Sequence, residues 1–512
     1  MKIDRRNFIQ QNCAAIGSAS LYSTLFTLRM TAGATTQLDG YKALVVLFLN
    51  GGNDSYNMLI PYTNNSNGYQ GYQQARGGVG TDDNGFKNGT SQLAIARAAL
   101  ENTVLNNVDG QPVSQYAVHP RLPFLQQQYN AGNLAFVANV GTLIEPTSLT
   151  DWQQGATDLP LGLFSHPDHQ MHWQTVMPQV RGATPKGWGG RVADILTQAN
   201  SNGQIGMNVS LAGNNTLQTG FETTPYVTSS NGAILLNQYD NNHNLLKTAV
   251  DSILNKTYPN MFEKTYAHKK KVALESAVIF GAAFDAQSIL TPGGVPNGTS
   301  NNTNQTAEQL AGVIKAIKSK DALNMNRQIF FVERGGWDHH NELLDSQGGI
   351  PYPNSNLADG ANGLYFEINE ALEFFWNELV SAELENDVVL CTISDFGRTL
   401  TSNGQGSDHA WGGNAFVMSG ARANNGTDGG PLKGGKIYGD YPVLHPSSIE
   451  LDLDKYKGSP RGRILPTLSA DEYLSELVSW FGVDKTQLAS IFPNCTNFFD
   501  PNTTPFPLGM LD

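Results

Sequence analysis

Short apolar runs that end abruptly in glycine and in acidic or histidine residues are the feature that most constrains the fold of this chain. The run at 388–393 is rich in β-branched residues, the pattern of a strand covered on both faces of a parallel sheet. Similar runs at 41–50, 134–140 and 327–334 are separated by helical patterns. Strands that alternate with helices predict an α/β fold with a mostly parallel central sheet and helices on both faces.

Polar residues that can bind a metal follow these runs or flank one. Ligands of open α/β sheets sit beyond the carboxyl ends of the strands, so these side chains are expected to meet there. Carboxylates and imidazoles suit a divalent metal such as zinc, manganese or magnesium. The alternative is that each strand-end aspartate only caps a turn. The candidates are Asp54, Asp338 with His339 and His340, Asp395, and Asp408 with His409.

The N-terminus predicts export. Arg5 and Arg6 precede Phe8 and a weakly apolar segment, and Ala32-Gly33-Ala34 offers a cleavage site with small residues. This pattern is similar to a bacterial twin-arginine signal, here 1–34, although an ordinary secretory signal is the alternative. The prediction is a periplasmic or secreted protein whose partner during export is the twin-arginine translocation machinery. No later run approaches about 20 apolar residues, so no membrane span is predicted in the mature protein.

Composition narrows the partners and the domain organisation. The formal charge of −13 over 512 residues argues against nucleic acid or an anionic membrane surface as a partner. The one dense basic run, 268–271, is interpreted as a solvated helix face. A single domain is expected over 41–495, with a tail at 496–512 and Asn/Gly-rich insertions near 63–90, 212–245 and 291–305.

The three cysteines do not establish either a disulfide or a metal site. Cys13 leaves with the predicted signal, and no Cys-x-x-Cys pair is present for a thiolate zinc site. Cys391 and Cys495 could form a disulfide. A cysteine inside a buried strand is more often a small hydrophobic residue.

Together with the twin-arginine start, a series of short motifs resembles the bacterial "domain of unknown function 1501" family over about residues 4–494. Each motif is modest by itself, and their order along the chain is distinctive. They lie at 48–57, 119–122, 163–166, 173–175, 187–191, 338–340, 394–398, 408–409, 465–473, 480–482 and 491–493.

This resemblance implies an alkaline phosphatase/sulfatase-like α/β/α sandwich with a carboxylate and histidine metal centre. It matches Asp54 to the early metal aspartate, Asp338 and His340 to an Asp-x-His pair, and His409 to the last histidine ligand. The implied cofactor is a divalent ion: zinc, manganese, magnesium or calcium. The implied function is that of an exported phosphate- or sulfate-ester hydrolase, with a small-molecule or glycan ester as substrate.

Two positions depart from the pattern that the resemblance implies. Asp395 matches an aspartate that a ligand histidine follows in active phosphatases, but residue 396 is phenylalanine. The nucleophile is not evident either. Ser165 is the candidate, with His166 beside it and Arg398 as a further catalytic residue; the alternative for Ser165 is a helix cap. Ser55, beside Asp54, is a second candidate.

Two other functions remain open. The absent ligand at 396 is compatible with an exported, non-catalytic binding or assembly protein, because a fold does not establish an activity. A Ser/His/Asp esterase is the other class. Residues 51–54 superficially resemble one of its blocks, but no Gly-x-Ser-x-Gly motif is present. His119, His169 and His172 are interpreted either as ligands or as packing residues.

Overall fold

The structure is a computed structural model of the chain. It describes residues 38, 40–79, 92–106, 108–182, 186–200, 205–234, 236, 239, 241–297, 304–345, 348–352, 363–423, 429–455, 457 and 460–511. The predicted signal at 1–34 lies outside these residues, as do parts of the insertions near 63–90, 212–245 and 291–305.

Within the described chain, eleven strands form a large sheet and a small one. The large sheet has the order β10-β4-β9-β8-β1-β7-β5-β6, with β11 also paired to β4; β2 and β3 form a separate antiparallel pair. The strands are β1 (Lys42–Leu49), β2 (Leu59–Pro61), β3 (Tyr116–Val118), β4 (Leu134–Gly141), β5 (Asn208–Ser210), β6 (Tyr226–Val227), β7 (Arg327–Arg334), β8 (Val388–Ser394), β9 (Gly413–Met418), β10 (Ile437–Tyr438) and β11 (Leu468–Ser469).

Strand β1 lies at the centre of the large sheet, parallel to β7 on one side and to β8 on the other. Its side chains alternate between two hydrophobic cores. Val45 and Leu47 pack into one core, and Leu44 and Val46 pack into the other. A strand buried on both faces needs apolar residues at every position, which explains why its sequence is a continuous apolar run.

The helices cover both faces of the sheet. They are α1 (Ser55–Met58), α2 (Tyr69–Ala75), α3 (Pro123–Ala131), α4 (Leu149–Gln154), α5 (His166–Thr175), α6 (Trp188–Ile195), α7 (Asn244–Leu254), α8 (Met261–Asp285), α9 (Gln305–Lys318), α10 (Leu364–Ser381), α11 (Ala470–Phe481) and α12 (Leu488–Ile491). Helices α3, α9 and α10 share the core of Val45, whereas α5, α6, α11 and α12 share the core of Leu44. The predicted α/β/α sandwich with a mostly parallel sheet is therefore confirmed.

Some local predictions differ from the structure. Strand β9 runs antiparallel to both β4 and β8, which an apolar run cannot reveal because it has no direction. A short 3-10 helix spans Arg97–Thr103. The side chain of Asn304 caps α9 by accepting a hydrogen bond from the N–H of Ala307.

Three further predictions concern single segments. Cys391 and Cys495 are both buried and free. The segment 496–512 was predicted as a tail, but its backbone N–H groups at 508–511 donate to the buried Glu476 carboxylate of α11. Among the residues that the structure describes, none of the helices has the length and apolarity that a membrane crossing requires.

Candidate metal centre

The loops that follow β1, β7 and β8 begin side by side at one edge of the sheet. Leu49 lies beside both Arg334 and Ser394, so the chain leaves all three strands at the same level. Gly51 (φ +123°) permits the contact: a Cβ atom there would lie 2.7 Å from the backbone nitrogen of Asp338. Because of this close approach, Asp338 and Asp395 lie at the same edge of the sheet, as expected for residues that follow parallel strands.

Three imidazoles converge on the Asp338 carboxylate. His166 Nε2 lies 3.2 Å from Asp338 Oδ2. His340 Nε2 and His409 Nε2 lie 3.1 and 3.3 Å from Asp338 Oδ1 and only 2.8 Å from each other. His166, Asp338 and His409 each offer one ligand atom within 4.8 Å of the other two. Residues from three separate segments of the chain therefore meet at one point.

The other ring nitrogen of each imidazole is held by an oxygen. His166 Nδ1 lies 2.7 Å from Asp395 Oδ2, and His340 Nδ1 lies 3.0 Å from Asp408 Oδ1. His409 Nδ1 lies 2.6 Å from the backbone carbonyl of Phe164. An acceptor at Nδ1 holds a proton on that nitrogen and turns Nε2 toward the centre, where Nε2 can bind a metal ion when it carries no proton of its own. Histidines that bind metals in proteins are held in this way.

Asp395 positions His166 from inside the protein. Its side chain is fully buried, and it accepts hydrogen bonds from Gly51 N–H at 3.1 Å and from Gln170 Nε2 at 3.1 Å. Trp173 Nε1–H donates to its backbone carbonyl at 3.1 Å. Asp395, which was predicted as a metal ligand, therefore contacts the Nδ1 atom of His166, and the His166 ring lies between Asp395 and the centre. Gln170 is a contributor that sequence reasoning missed, and the only available signal was the polar segment 161–175 that contains it.

Arg398 supports the central carboxylate. Its fully buried guanidinium donates to Asp338 Oδ1 at 2.7 Å and to Ser407 Oγ at 3.1 Å. Burial alone would raise the pKa of Asp338, but hydrogen bonds from His166, His409 and Arg398 hold the pKa of Asp338 well below its usual range. Asp338 is therefore a carboxylate at every physiological pH.

The electrostatics favour positive charge at His166. Burial lowers the pKa of this imidazole, but hydrogen bonds and charge from Asp338 and Asp395 outweigh burial and raise the pKa of His166 to about 9. At the other end of the centre, Asp408 is paired with Arg461 and bonded by Asn403 at 3.0 Å. These contacts overcome the effect of burial and hold the pKa of Asp408 well below its usual range.

Phe396 forms an apolar wall behind the imidazoles. Its ring centroid lies 4.7 Å from that of His166 and 4.5 Å from that of His409. Residue 396 therefore lies where a further side chain could have reached the centre, and it supplies packing instead of a ligand atom. A cavity of about 440 Å³ opens on the side of His340, and its lining includes Glu342 and Tyr352.

The side chains of Asp54, Ser55 and Ser165 contact residues other than the three imidazoles of the centre. The Asp54 carboxylate forms a buried ion pair with Arg76, and its Oδ1 atom has no hydrogen-bond partner among the described residues. Ser55 Oγ accepts a hydrogen bond from Asn414 N–H at 2.8 Å. Ser165 is the N-cap residue of α5, but its side chain makes no capping hydrogen bond to the described backbone. The Arg181 guanidinium, more than the Ser165 hydroxyl, lowers the pKa of Asp168.

His119 and His169 are neutral, buried packing residues. His119 Nδ1 accepts the N–H of Arg121 at 3.1 Å, and His169 Nε2 accepts the N–H of Phe164 at 3.0 Å. A ring nitrogen that accepts a backbone N–H cannot carry a proton of its own. Burial lowers the pKa of His119 to about 4 and that of His169 to about 3. Burial likewise lowers the pKa of His172, to about 4.

We expect these histidines to make the folded protein less stable in mild acid. Unfolding exposes imidazoles whose ordinary pKa is about 6.5. The unfolded chain therefore binds more protons than the folded one below that pH. The stability is fully present above about pH 6.5 and falls as the pH drops toward about 4, by roughly 1.4 kcal/mol per pH unit for each histidine. Urea unfolding at several pH values measures this slope.

His169→Gln should lower the slope by the contribution of one histidine, and His119→Gln should do the same. His445→Gln is the matched control, since its Nδ1 only accepts a hydrogen bond from Ser447 near the surface. Variants with the wild-type slope would contradict the assignment of neutral, buried imidazoles.

The donor set at Asp338 fits a divalent metal. Two Nε2 atoms and a carboxylate oxygen lie close enough to share one ion, and each imidazole is oriented by its own acceptor. Four-coordinate zinc accepts nitrogen and carboxylate oxygen ligands of this kind. Magnesium and calcium prefer all-oxygen sets, so the two imidazoles favour zinc over those two metals.

Comparisons with solved structures give low similarity over most of the chain. The structure of "Ps i-CgsB in complex with k-i-k-neocarrahexaose" is 11% identical with a TM-score of 0.29, covering 90% of this chain and 78% of that one. "PsFucS1 sulfatase from Pseudoalteromonas sp." is 10% identical with a TM-score of 0.28, covering 88% and 74%. A mutant of "alkaline phosphatase PafA" is 10% identical with a TM-score of 0.22, covering 71% and 64%.

No protein of curated function matches the chain. Because these TM-scores are low, the three solved structures assign no role to any residue of this chain. The match to a family of proteins is extensive, because it spans most of the chain and includes Asp54, Asp338, Asp395 and His409. The chain therefore belongs to the family described as "Protein of unknown function (DUF1501)", whose pattern matches residues 41–449.

Proposed function

We propose that this protein is a metal-dependent hydrolase of phosphate or sulfate esters. The observation that carries the proposal is the convergence of three Nε2 atoms on the Asp338 carboxylate, each with its Nδ1 atom held by an oxygen. His166, Asp338 and His409 would hold the ion. When bound, a divalent metal polarises an ester oxygen and stabilises charge on the transferring phosphoryl or sulfuryl group.

His340 is the proton-transfer residue in this proposal. It is the most exposed of the three imidazoles, with 42% of its side chain accessible, and it lines the 440 Å³ cavity. Asp408 orients its ring, and Arg461 holds Asp408. Such a positioned imidazole can accept a proton at Nε2 and return it in a later step.

Water is the attacking group in this scheme, because the imidazoles of the centre bond to Asp395, Asp408 and the Phe164 carbonyl rather than to the Ser165 hydroxyl, which leaves that hydroxyl without a base to activate it. The water oxygen forms a bond to phosphorus or sulfur, and its proton moves to His340 Nε2. The bond to the ester oxygen then breaks, and the same proton passes to the departing oxygen. Buried Arg398 keeps the Asp338 carboxylate in place throughout.

Export through the twin-arginine route is part of the proposal and rests on Arg5, Arg6 and Phe8. It places the enzyme in the periplasm or outside the cell. Its substrate is then a small-molecule or glycan ester that is available there.

The direct test measures metal content and turnover together. Protein purified without chelator should carry stoichiometric metal. It should hydrolyse at least one of an aryl phosphate, a phosphodiester and an aryl sulfate, with activity lost on chelation and restored by zinc or manganese. Absence of stoichiometric metal together with a flat panel would refute the proposal.

One alternative is favoured by two specific observations. Phe396 supplies no ligand, and the Asp54 carboxylate is paired with Arg76, so the centre offers fewer ligands than the carboxylate and histidine set that the family resemblance implies. These features support a non-catalytic binding or assembly protein that keeps one structural ion. Bound metal with no turnover on the whole panel would favour this second function.

A further inference from the structure

Helix α7, the turn after it and the first half of α8 form a helical hairpin, residues 244–275, that is largely exposed. The second half of α8 anchors it, because Phe280 and Phe284 are fully buried in the core of Val45. No residue of α7 is buried. One end of the hairpin is therefore anchored in the core, whereas the described part of the chain covers little of the hairpin's own surface.

Large apolar side chains of this hairpin face solvent. Leu245 is 91% exposed, Phe262 86%, Met261 79% and Tyr266 71%. A single exposed apolar residue is ordinary, but several on one small element mark an interaction surface. Phe262 and Tyr266 are four residues apart and share one face of α8.

The charges of the hairpin oppose those of the whole protein. Residues 244–275 contain six lysines, no arginine and three acidic residues, in a chain whose formal charge is −13. Lys269 and Lys270 follow Tyr266 by three and four residues, so they extend the face that carries Phe262. Electrostatic forces are screened over about 10 Å at 0.1 M salt. A local cluster can therefore attract anions although the whole chain is acidic, so the net charge of the chain does not exclude an anionic membrane surface as a partner of this hairpin.

The type of basic residue distinguishes between two kinds of partner. Protein interfaces are enriched in arginine and depleted in lysine. Helices that lie on a lipid surface combine lysines with exposed aromatic and aliphatic residues, and long lysine side chains can lie along apolar surface while their charge stays in water. Lysines without arginine, beside Phe262 and Met261, fit the second pattern.

We propose that the hairpin 244–275 docks this protein onto an anionic lipid surface. Phe262, Met261 and Leu245 insert at the level of the headgroups, and the lysines contact the anionic lipids. The inference does not depend on the proposed hydrolase activity, because the residues involved differ from those of the metal centre.

Co-sedimentation of the full chain with vesicles tests the proposal. We expect binding to phosphatidylcholine vesicles that contain about one third phosphatidylglycerol, little binding to pure phosphatidylcholine, and release at about 0.5 M salt. The double variant Met261→Ser with Phe262→Ser should bind at least about tenfold more weakly. Lys269→Gln with Lys270→Gln should lose about fivefold per lysine.

Matched controls separate charge and insertion from loss of fold. Lys269→Arg with Lys270→Arg keeps the charges and should bind as the wild type does. Val278→Ser removes an exposed apolar side chain of α8 outside the hairpin and should also have no effect. Because all these side chains are exposed, the circular dichroism and melting temperature should not change.

Three outcomes would overturn the proposal. The first is no binding to the anionic vesicles, and the second is binding that the serine and glutamine variants retain in full. The third is a wild-type dimer in sedimentation velocity that the Met261/Phe262 variant dissociates, which would make the hairpin an interface between copies of this chain.

Discussion

Replacement of His409 by glutamine is expected to remove the bound metal and to reduce ester hydrolysis to background. His409 Nε2 lies 3.3 Å from Asp338 Oδ1 and is one of the three atoms close enough to share an ion. Loss of a residue that only supports a ligand usually costs 10- to 100-fold in metal affinity. Loss of a ligand itself should cost at least about 100-fold.

The readout does not depend on knowing the substrate. Elemental analysis should give stoichiometric metal in the wild type and little in His409→Gln. A metal that binds only the folded state stabilises it by about 2.7 kcal/mol when its free concentration is 100 times its Kd. Zinc or manganese should therefore raise the melting temperature of the wild type but not that of the variant. His445→Gln, which removes an imidazole outside the centre, should behave as the wild type does; equal metal content in His409→Gln would contradict the assignment.

Asp54 needs a paired variant, because it is bonded to the buried Arg76. Removal of one partner alone leaves an uncompensated buried charge and costs about 3–5 kcal/mol, which would confuse a loss of metal with a loss of fold. Asp54→Asn combined with Arg76→Met removes both charges together. Metal content at the wild-type level in this variant would place Asp54 outside the ligand set.

Replacement of His340 by glutamine is expected to keep the metal but lower kcat by about 10²- to 10⁴-fold, the usual contribution of a positioned acid or base. The geometry supports this separation. His340 faces the 440 Å³ cavity and is oriented by Asp408, while His166, Asp338 and His409 supply the ligand atoms. The measurement is kcat and KM on whichever ester of the panel turns over, with metal content determined on the same preparation.

A second readout distinguishes proton transfer from simple positioning. If His340 moves the proton, the pH profile of kcat in His340→Gln should lose the limb that this imidazole produces in the wild type. Loss of metal from the variant together with loss of activity would instead make His340 a ligand, as the family resemblance implies. Unchanged kcat would remove it from the mechanism.

The strands of the central sheet were largely predictable. The runs predicted at 41–50, 327–334 and 388–393 correspond to Lys42–Leu49, Arg327–Arg334 and Val388–Ser394. A strand buried on both faces must be apolar at every position, and this requirement is visible in a single sequence. The direction of β9 was not predictable, because an apolar run reads the same in parallel and antiparallel pairing.

The location of the centre was also predictable, whereas the contact made by each residue was not. Asp54, Asp338, His340, Asp395 and His409 were expected at one sheet edge. The structure brings the last four together there, whereas the Asp54 carboxylate pairs with Arg76. His166 was expected beside a nucleophile, and its Nε2 instead faces Asp338. Asp395 and Asp408 were expected at the centre itself, and each contacts the Nδ1 atom of a histidine.

The sequence alone determined that strands alternate with helices, and that acidic and histidine residues follow the strands, because burial and chain connectivity act on neighbouring residues. Only the tertiary structure decided that Asp54 pairs with Arg76 and that Asp395 orients His166. The contact of a carboxylate depends on which atom lies about 3 Å away, and that atom belongs to a segment that only packing brings near.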